Sequence, residues 1–287
     1  MRFTFKSAAL GAATAVLATV FASAAFADGM PKRGSIKSAE PPPAPRACTL
    51  SANVGLTSDY VFRGVSQTGE EPALQGGFDA TCGIFYAGVW ASALDWGPSN
   101  AGTTSSHLEV DLYAGIKPKT GPITWDLGLI YYMYPGGAQP AFAGLGSFEP
   151  NFLEFKVSAS GEIWKDGTLT GTVFYSPDYT LETGPVWTFE AGFAQALPKM
   201  GMFTPTISLL YGHQVADDAR YNLLIGNGDD SYSYWNAGVT FAFLEKWSLD
   251  LRYWDSSLGD NLGGGGFCTG ALFQCDERFL ATLKFTY

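Results

Sequence analysis

The chain has 287 residues, a formal net charge of −10, only 15% charged residues and a mean hydropathy of +0.05. The acidic balance excludes the basic footprint of a nucleic-acid binder, and the hydropathy excludes a bundle of membrane helices. What remains is rich in 35 Gly, 21 Phe, 14 Tyr and 8 Trp, which suits strands, turns and interfacial rings.

The first element is a targeting segment. Arg2 and Lys6 form a basic start, residues 8–20 are apolar, and Ala25-Phe26-Ala27 gives a small-residue cleavage signal. Residues 1–27 are therefore expected to be a signal peptide. Residues 28–47 carry a proline cluster with little apolar matter and read as a periplasmic tether. Residues 48–287 read as one domain.

From Leu50 the chain alternates. Leu50, Ala52, Val54, Leu56, Tyr60 and Phe62 form one series, and Ser51, Asn53, Gly55, Thr57, Asp59 and Arg63 the other. A period of two predicts a strand with two unlike faces. The pattern returns over 72–81, 84–94, 107–117, 122–134 and 151–162. It continues over 167–177, 185–197, 203–213, 232–243, 246–255 and 276–287. Each segment is roughly ten residues long, the length of a tilted membrane strand. Short connections at 81–83, 118–121, 165–167, 198–201 and 244–245 alternate with longer ones at 66–71, 95–106, 135–150, 177–184, 214–231 and 256–275. That asymmetry of turns and loops belongs to membrane barrels.

The apolar series carry no charge, as a lipid-facing surface requires. Aromatics gather near strand ends as interfacial girdles do, with Tyr60 and Phe62 expected at the outer interface. The expected fold is an all-β, transmembrane antiparallel up-and-down barrel of about 12 strands, with 10 or 14 as alternatives. Its first strand must pair with the last, which ends in the aromatic Tyr287 that the barrel-insertion machinery would read. Outer-membrane lipid and lipopolysaccharide are the surrounding partners, and both termini are expected in the periplasm.

Four cysteines allow three pairings. Export favours disulfides. The strand map places Cys48 beside Cys82 and puts Cys268 and Cys275 in one outer loop, so Cys48–Cys82 and Cys268–Cys275 are expected. Splitting the cysteines between two sides leaves no metal site.

The inward series holds the candidate functional residues: Asp59, Arg63, Asp79, Glu109, Asp111, Asp126, Glu154, Lys156, Glu190, Asp250, Arg252 and Lys284. Lys117 belongs with them. Mixed charge inside a narrow barrel either pairs into a plug or forms a field across a water-filled pore. The slight acidic excess points to cation preference. Two histidines, His107 and His213, sit at strand ends, and Ser105 and Ser106 adjoin His107, but sequence neighbours on a strand face opposite ways. No nucleophile elbow or phosphate loop is present, and Gly263–Gly266 lacks the helix that a nucleotide cradle needs. The expectation is a non-enzymatic protein without a cofactor.

The run NVGLTSDYVFRGVSQT, followed by PALQGGFDA, GIFYAGVWAS and LEVDLYAGI, resembles the TorF-type porin family (Gcw_chp). The likeness is dense over residues 50–117 and continues by strand pattern to Tyr287. It implies an exported outer-membrane protein of porin type, with no particular solute. The cysteines and the proline-rich leader stand outside that pattern. The expected function is passive diffusion of small hydrophilic solutes or ions through the lumen. The alternative is a non-conducting barrel acting through its outer loops.

Overall fold

A computed structural model describes residues 48–95, 106–137, 149–218, 221, 230–258 and 274–287. The expected leader and tether lie outside these residues.

Twelve antiparallel strands form a closed barrel. They are β1 (Thr49–Thr57), β2 (Ala73–Cys82), β3 (Phe85–Ala93) and β4 (Leu108–Ile116). Next come β5 (Ile123–Met133), β6 (Phe152–Trp164), β7 (Gly167–Ser176) and β8 (Val186–Ala196). The last four are β9 (Thr204–Ala216), β10 (Ser231–Phe243), β11 (Trp247–Ser256) and β12 (Arg278–Thr286). Each strand pairs with its sequence neighbours, and β12 closes on β1 from Asn53↔Thr286 to Thr57↔Thr282. Closure removes the sheet edges, so backbone groups are satisfied within the wall.

Side-chain parity follows the sequence. Leu56, Phe78, Leu112, Val157, Leu209 and Phe279 point outward and are exposed. The intervening residues line the interior, where Glu109, Asp111, Glu154, Asn236 and Arg252 are buried. An apolar exterior around a polar interior is the inverse of a soluble barrel and matches a membrane-spanning one. Rings meet near the strand ends on the exterior, as in Tyr175 with Trp187 and Trp235 with Tyr253.

Register explains the first disulfide. Thr49 opposes Thr81, so Cys48 directly opposes Cys82, with Cα atoms 4.4 Å apart and the disulfide formed. The second expected pair involves Cys268, which lies outside the described residues. Cys275 is buried and disulfide-bonded.

One expectation is corrected. β1 stops at Thr57 and does not continue to Phe62. Residues 58–72 turn into the barrel and form a small hairpin, Val61–Phe62 against Val65–Ser66. Tyr60 is 5% exposed and Phe62 half-buried, so neither marks the lipid interface. Two side chains end β1: Thr57 donates to the Asp59 carbonyl, and Asp59 binds the Ser66 and Thr68 hydroxyls at 2.7 and 2.8 Å. Arg63 and Gly64 form the turn with φ of 49° and 84°. A two-residue turn with two positive φ values suits the twist of a tight hairpin. Gly64 is also required by space, because a Cβ there would lie 2.7 Å from the Ser256 Cβ and 3.0 Å from the Tyr234 Cβ.

Candidate functional site in the barrel lumen

The hairpin crosses the lumen at the end carrying the long loops. It leaves the wall between β1 and β2 and reaches β6, where the Arg63 guanidinium makes two 2.8 Å hydrogen bonds to the Glu154 carboxylate. Such a fork-to-fork pair is directional as well as strong. The guanidinium lies over the Phe62 ring at 4.8 Å and the Phe174 ring at 4.9 Å. Tyr132 on β5 donates at 3.1 Å to Glu154 Oε2, the oxygen that Arg63 Nη2 also binds. Toward β3 and β4, Tyr60 meets Trp90 edge-on at 5.4 Å and donates to Glu109 at 2.9 Å. Toward β12, Asp59 pairs with Arg278 at 3.0 Å. Gly64 lies against Tyr234 of β10 and Ser256 of β11. The hairpin thus touches most of the circumference.

A ring cluster surrounds it. Tyr132 stacks on Phe152 at 4.3 Å, and Phe152 meets Tyr179 at 4.7 Å. Tyr221, Tyr232 and Tyr234 continue the cluster, all buried. Their hydroxyls serve the polar lining: Tyr221 donates to Gln214, and Tyr234 to Glu190 at 2.6 Å. Gln214 in turn donates to Thr188. Buried phenols need such partners, and inward carboxylates supply them.

The middle of the lumen holds a second network. Arg252 binds Asp250 through Nε and Nη2, Asn236 through Nη1 at 2.6 Å and Ser208 at 3.0 Å. Asp250 also accepts from Thr240. Nearer the short turns the lining is more open. There Asp126 accepts from Tyr86 at 2.6 Å and Lys156 at 2.8 Å, with Lys117 at 3.9 Å. The Lys117 ammonium sits 4.6 Å from the Tyr86 ring centre. Asp79 accepts from Tyr113. Lys284 is half-buried on the same face of β12 as Thr282. Tyr86 and Tyr113 lie across Gly115, Gly128 and Gly88, where no Cβ could fit beneath the rings.

The sequence-derived candidates therefore fall into three tiers. Asp59, Arg63, Glu109, Asp111, Glu154 and Glu190 gather around the hairpin. Asp250 and Arg252 hold the middle. Asp79, Asp126, Lys156 and Lys284 face the turn end. Asp59 and Arg63 do not share one strand face; they are stapled to different walls. Asp111 stands apart from the others. It is wholly buried on β4, no N–H or hydroxyl among the described residues donates to its oxygens, and its side-chain partner is the Glu109 carboxyl. Sequence reasoning missed Arg278, although it shares parity with Thr282 and Lys284. Tyr132 falls in the inward series of its strand, but Tyr232 and Tyr234 of the hairpin level were missed although they share the parity of Asn236.

On the outward face, the His213 Nδ1 lies 3.0 Å from the Ser233 hydroxyl, which is 2.9 Å from the Tyr211 hydroxyl. A hydrolytic triad needs a third group orienting the imidazole. No hydrogen bond to such a group is found among the described residues. His107 is exposed beside the start of β4.

Residues 42–181 match the model of a family described as a bacterial protein of unknown function, Gcw_chp. This is the family resembled by the opening run; the TorF-type label has no counterpart in the comparisons. No curated protein matches the chain. Among solved structures, the KdgM porin is similar with a TM-score of 0.47 and 7% identity, covering 83% of this chain and 99% of that one. The NanC porin has a TM-score of 0.46 and 10% identity, covering 83% and 98%. LpxR from Salmonella typhimurium has a TM-score of 0.42 and 11% identity, covering 83% and 99%. At these values, function has to be argued from the side chains of this chain.

Proposed function

We propose that the protein is an outer-membrane porin through which small hydrophilic solutes or ions diffuse, with residues 58–72 as its constriction. The observation that carries this reading is the lining. Charged and hydroxylic side chains run along the whole interior from Glu109 and Glu154, through Arg252 and Asp250, to Asp126 and Lys117. A purely structural wall has no need for charge along its full inner length, since burying charges costs free energy even when they are paired. An aqueous path does need it. The constriction is an inserted loop held by side chains, separable in principle from the wall that surrounds it. Termini in the periplasm and long loops outside complete the reading.

Proteoliposome swelling tests the function. Folded protein, verified by a heat-dependent gel shift, is expected to admit small sugars or salts and to exclude large dextrans. Vesicles that swell no faster than empty ones would remove the porin reading. A second reading is favoured by the hairpin level itself. Tyr60, Arg63, Tyr132, Phe152 and Tyr234 are all buried there, as in a plugged lumen. A non-conducting barrel acting through its outer loops would show the same heat shift, no swelling, and ligand capture lost when those loops are trimmed.

A further inference from the structure

We propose that the place in the lumen filled by the Arg63 guanidinium is a binding site for the guanidinium or ammonium group of a small cationic solute, with the hairpin as its tethered competitor. This rests on the porin reading and names a solute class for it.

The wall keeps a complete cation site when the hairpin is removed from consideration. Glu154 on β6, Phe174 on β7 and Tyr132 on β5 all belong to the barrel. They offer a planar carboxylate, an aromatic face and a phenol that orients the carboxylate. A guanidinium is recognised by this combination: two parallel N–H donors meet the carboxylate, and the ring face meets the cation. Arg63 shows the fit, with both hydrogen bonds at 2.8 Å and the Phe174 ring 4.9 Å away.

Charge next to this place points to the same ligand. Asp111 is wholly buried, and among the described residues no N–H or hydroxyl donates to its oxygens. Its neighbours are Glu109 and Glu154, both acids, and it pairs with the Glu109 carboxyl by sharing a proton, so the two together bring one negative charge beside Glu154. Glu109 in turn receives one of its hydrogen bonds from Tyr60, which belongs to the segment that would move. Withdrawal of the hairpin therefore takes away the Arg63 charge and the Tyr60 hydroxyl together. Glu154 would keep the Tyr132 hydroxyl but lose the guanidinium, while Glu109 would keep the Tyr134 phenol of the wall. A buried Glu154 carboxylate stripped of its guanidinium is costly, so an entering cation is favoured. An anion would add to the repulsion, and an apolar solute would leave Glu154 unpaired. The hairpin has two strands of two residues each, so its hold on the lumen rests on the side-chain contacts that an entering cation would replace.

The test uses the full-length protein folded in detergent and ethylguanidinium chloride as the probe, with potassium chloride at equal ionic strength as the control. Arg63→Ala is expected to melt below wild type. Ethylguanidinium should raise that melting temperature where potassium does not, and the added change Glu154→Gln should abolish the rise. In planar bilayers, ethylguanidinium should block Arg63→Ala at a concentration about tenfold lower than it blocks wild type, because the competitor is gone. If Arg63→Ala does not fold, Arg63→Gln keeps the stem to Cδ without the charge and carries the same measurements. Equal effects of potassium and ethylguanidinium on a conducting variant would overturn this inference alone. Absence of current from every folded variant would overturn the porin reading, and the solute class with it.

Discussion

Gly64→Val separates the hairpin from the barrel. The residue sits at φ 84°, where a side chain strains the backbone. Its Cβ would meet the Ser256 Cβ at 2.7 Å and the Tyr234 Cβ at 3.0 Å. Both neighbours are anchored on wall strands and have little room to yield. Left-handed backbone costs an L-residue about 1–2 kcal/mol, and overpacking adds about 1–3 kcal/mol. The sum of roughly 2–5 kcal/mol shifts the balance between docked and undocked hairpin by about thirty- to several-thousandfold. The wall is indifferent to position 64, since Thr57 and Ala73 pair with each other regardless. Limited trypsin digestion reads the outcome. Arg63 is buried in the docked hairpin and should resist cleavage. In the variant it should become a cleavage site while the heat shift on gels persists. A variant as resistant as wild type, or one whose whole barrel loses its heat shift, would refute the reasoning.

Three other outcomes are expected. Replacing Cys48 and Cys82 by Ser opens a cross-link spanning 34 residues of sequence, a loss of about 3–4 kcal/mol in the chain-entropy account, and should lower the heat-shift midpoint without changing the gel shift itself. Leu209→Arg puts a charge on an exposed outward position of β9; it should cost about 2–4 kcal/mol if that position lies at mid-bilayer, measured as folding yield into vesicles, whereas Thr206→Ser on the inner face should fold normally. Asp126→Asn removes the carboxylate shared by Lys117 and Lys156; the reversal potential under a salt gradient should move toward anion preference, and an unchanged potential would show that this tier does not face the ion path.

Strand parity made the barrel legible. Leu74, Val110, Leu209 and Phe279 could be assigned outward from alternation alone, because lipid forbids charge on that face. The short and long connections followed from the same map, and the Cys48–Cys82 register with them. The hairpin was not legible in the same way. Tyr60 and Phe62 continue the alternation of β1, yet alternation reports two unlike faces and not which of them meets lipid. A plug inside the lumen packs rings of its own, so its apolar residues mimic a lipid-facing series. The available signal was the tight turn Val-Phe-Arg-Gly-Val-Ser, with Arg-Gly between two valine-led dipeptides. Arg278 was readable from its parity with Lys284. The partners of each charge were not, because pairs such as Arg63 with Glu154 join residues 91 apart in sequence and depend on the path of the inserted loop.

The central claim, an ion-conducting barrel narrowed by an inserted hairpin, is tested most directly by single-channel recording of two proteins. One is wild type. In the other, residues 60–69 are replaced by a short Gly-Ser turn joining strands that already pair at Thr57 and Ala73. The account predicts discrete ion steps in both, with larger conductance once the hairpin is gone. Silent bilayers from the shortened protein, folded by its heat shift, would contradict it.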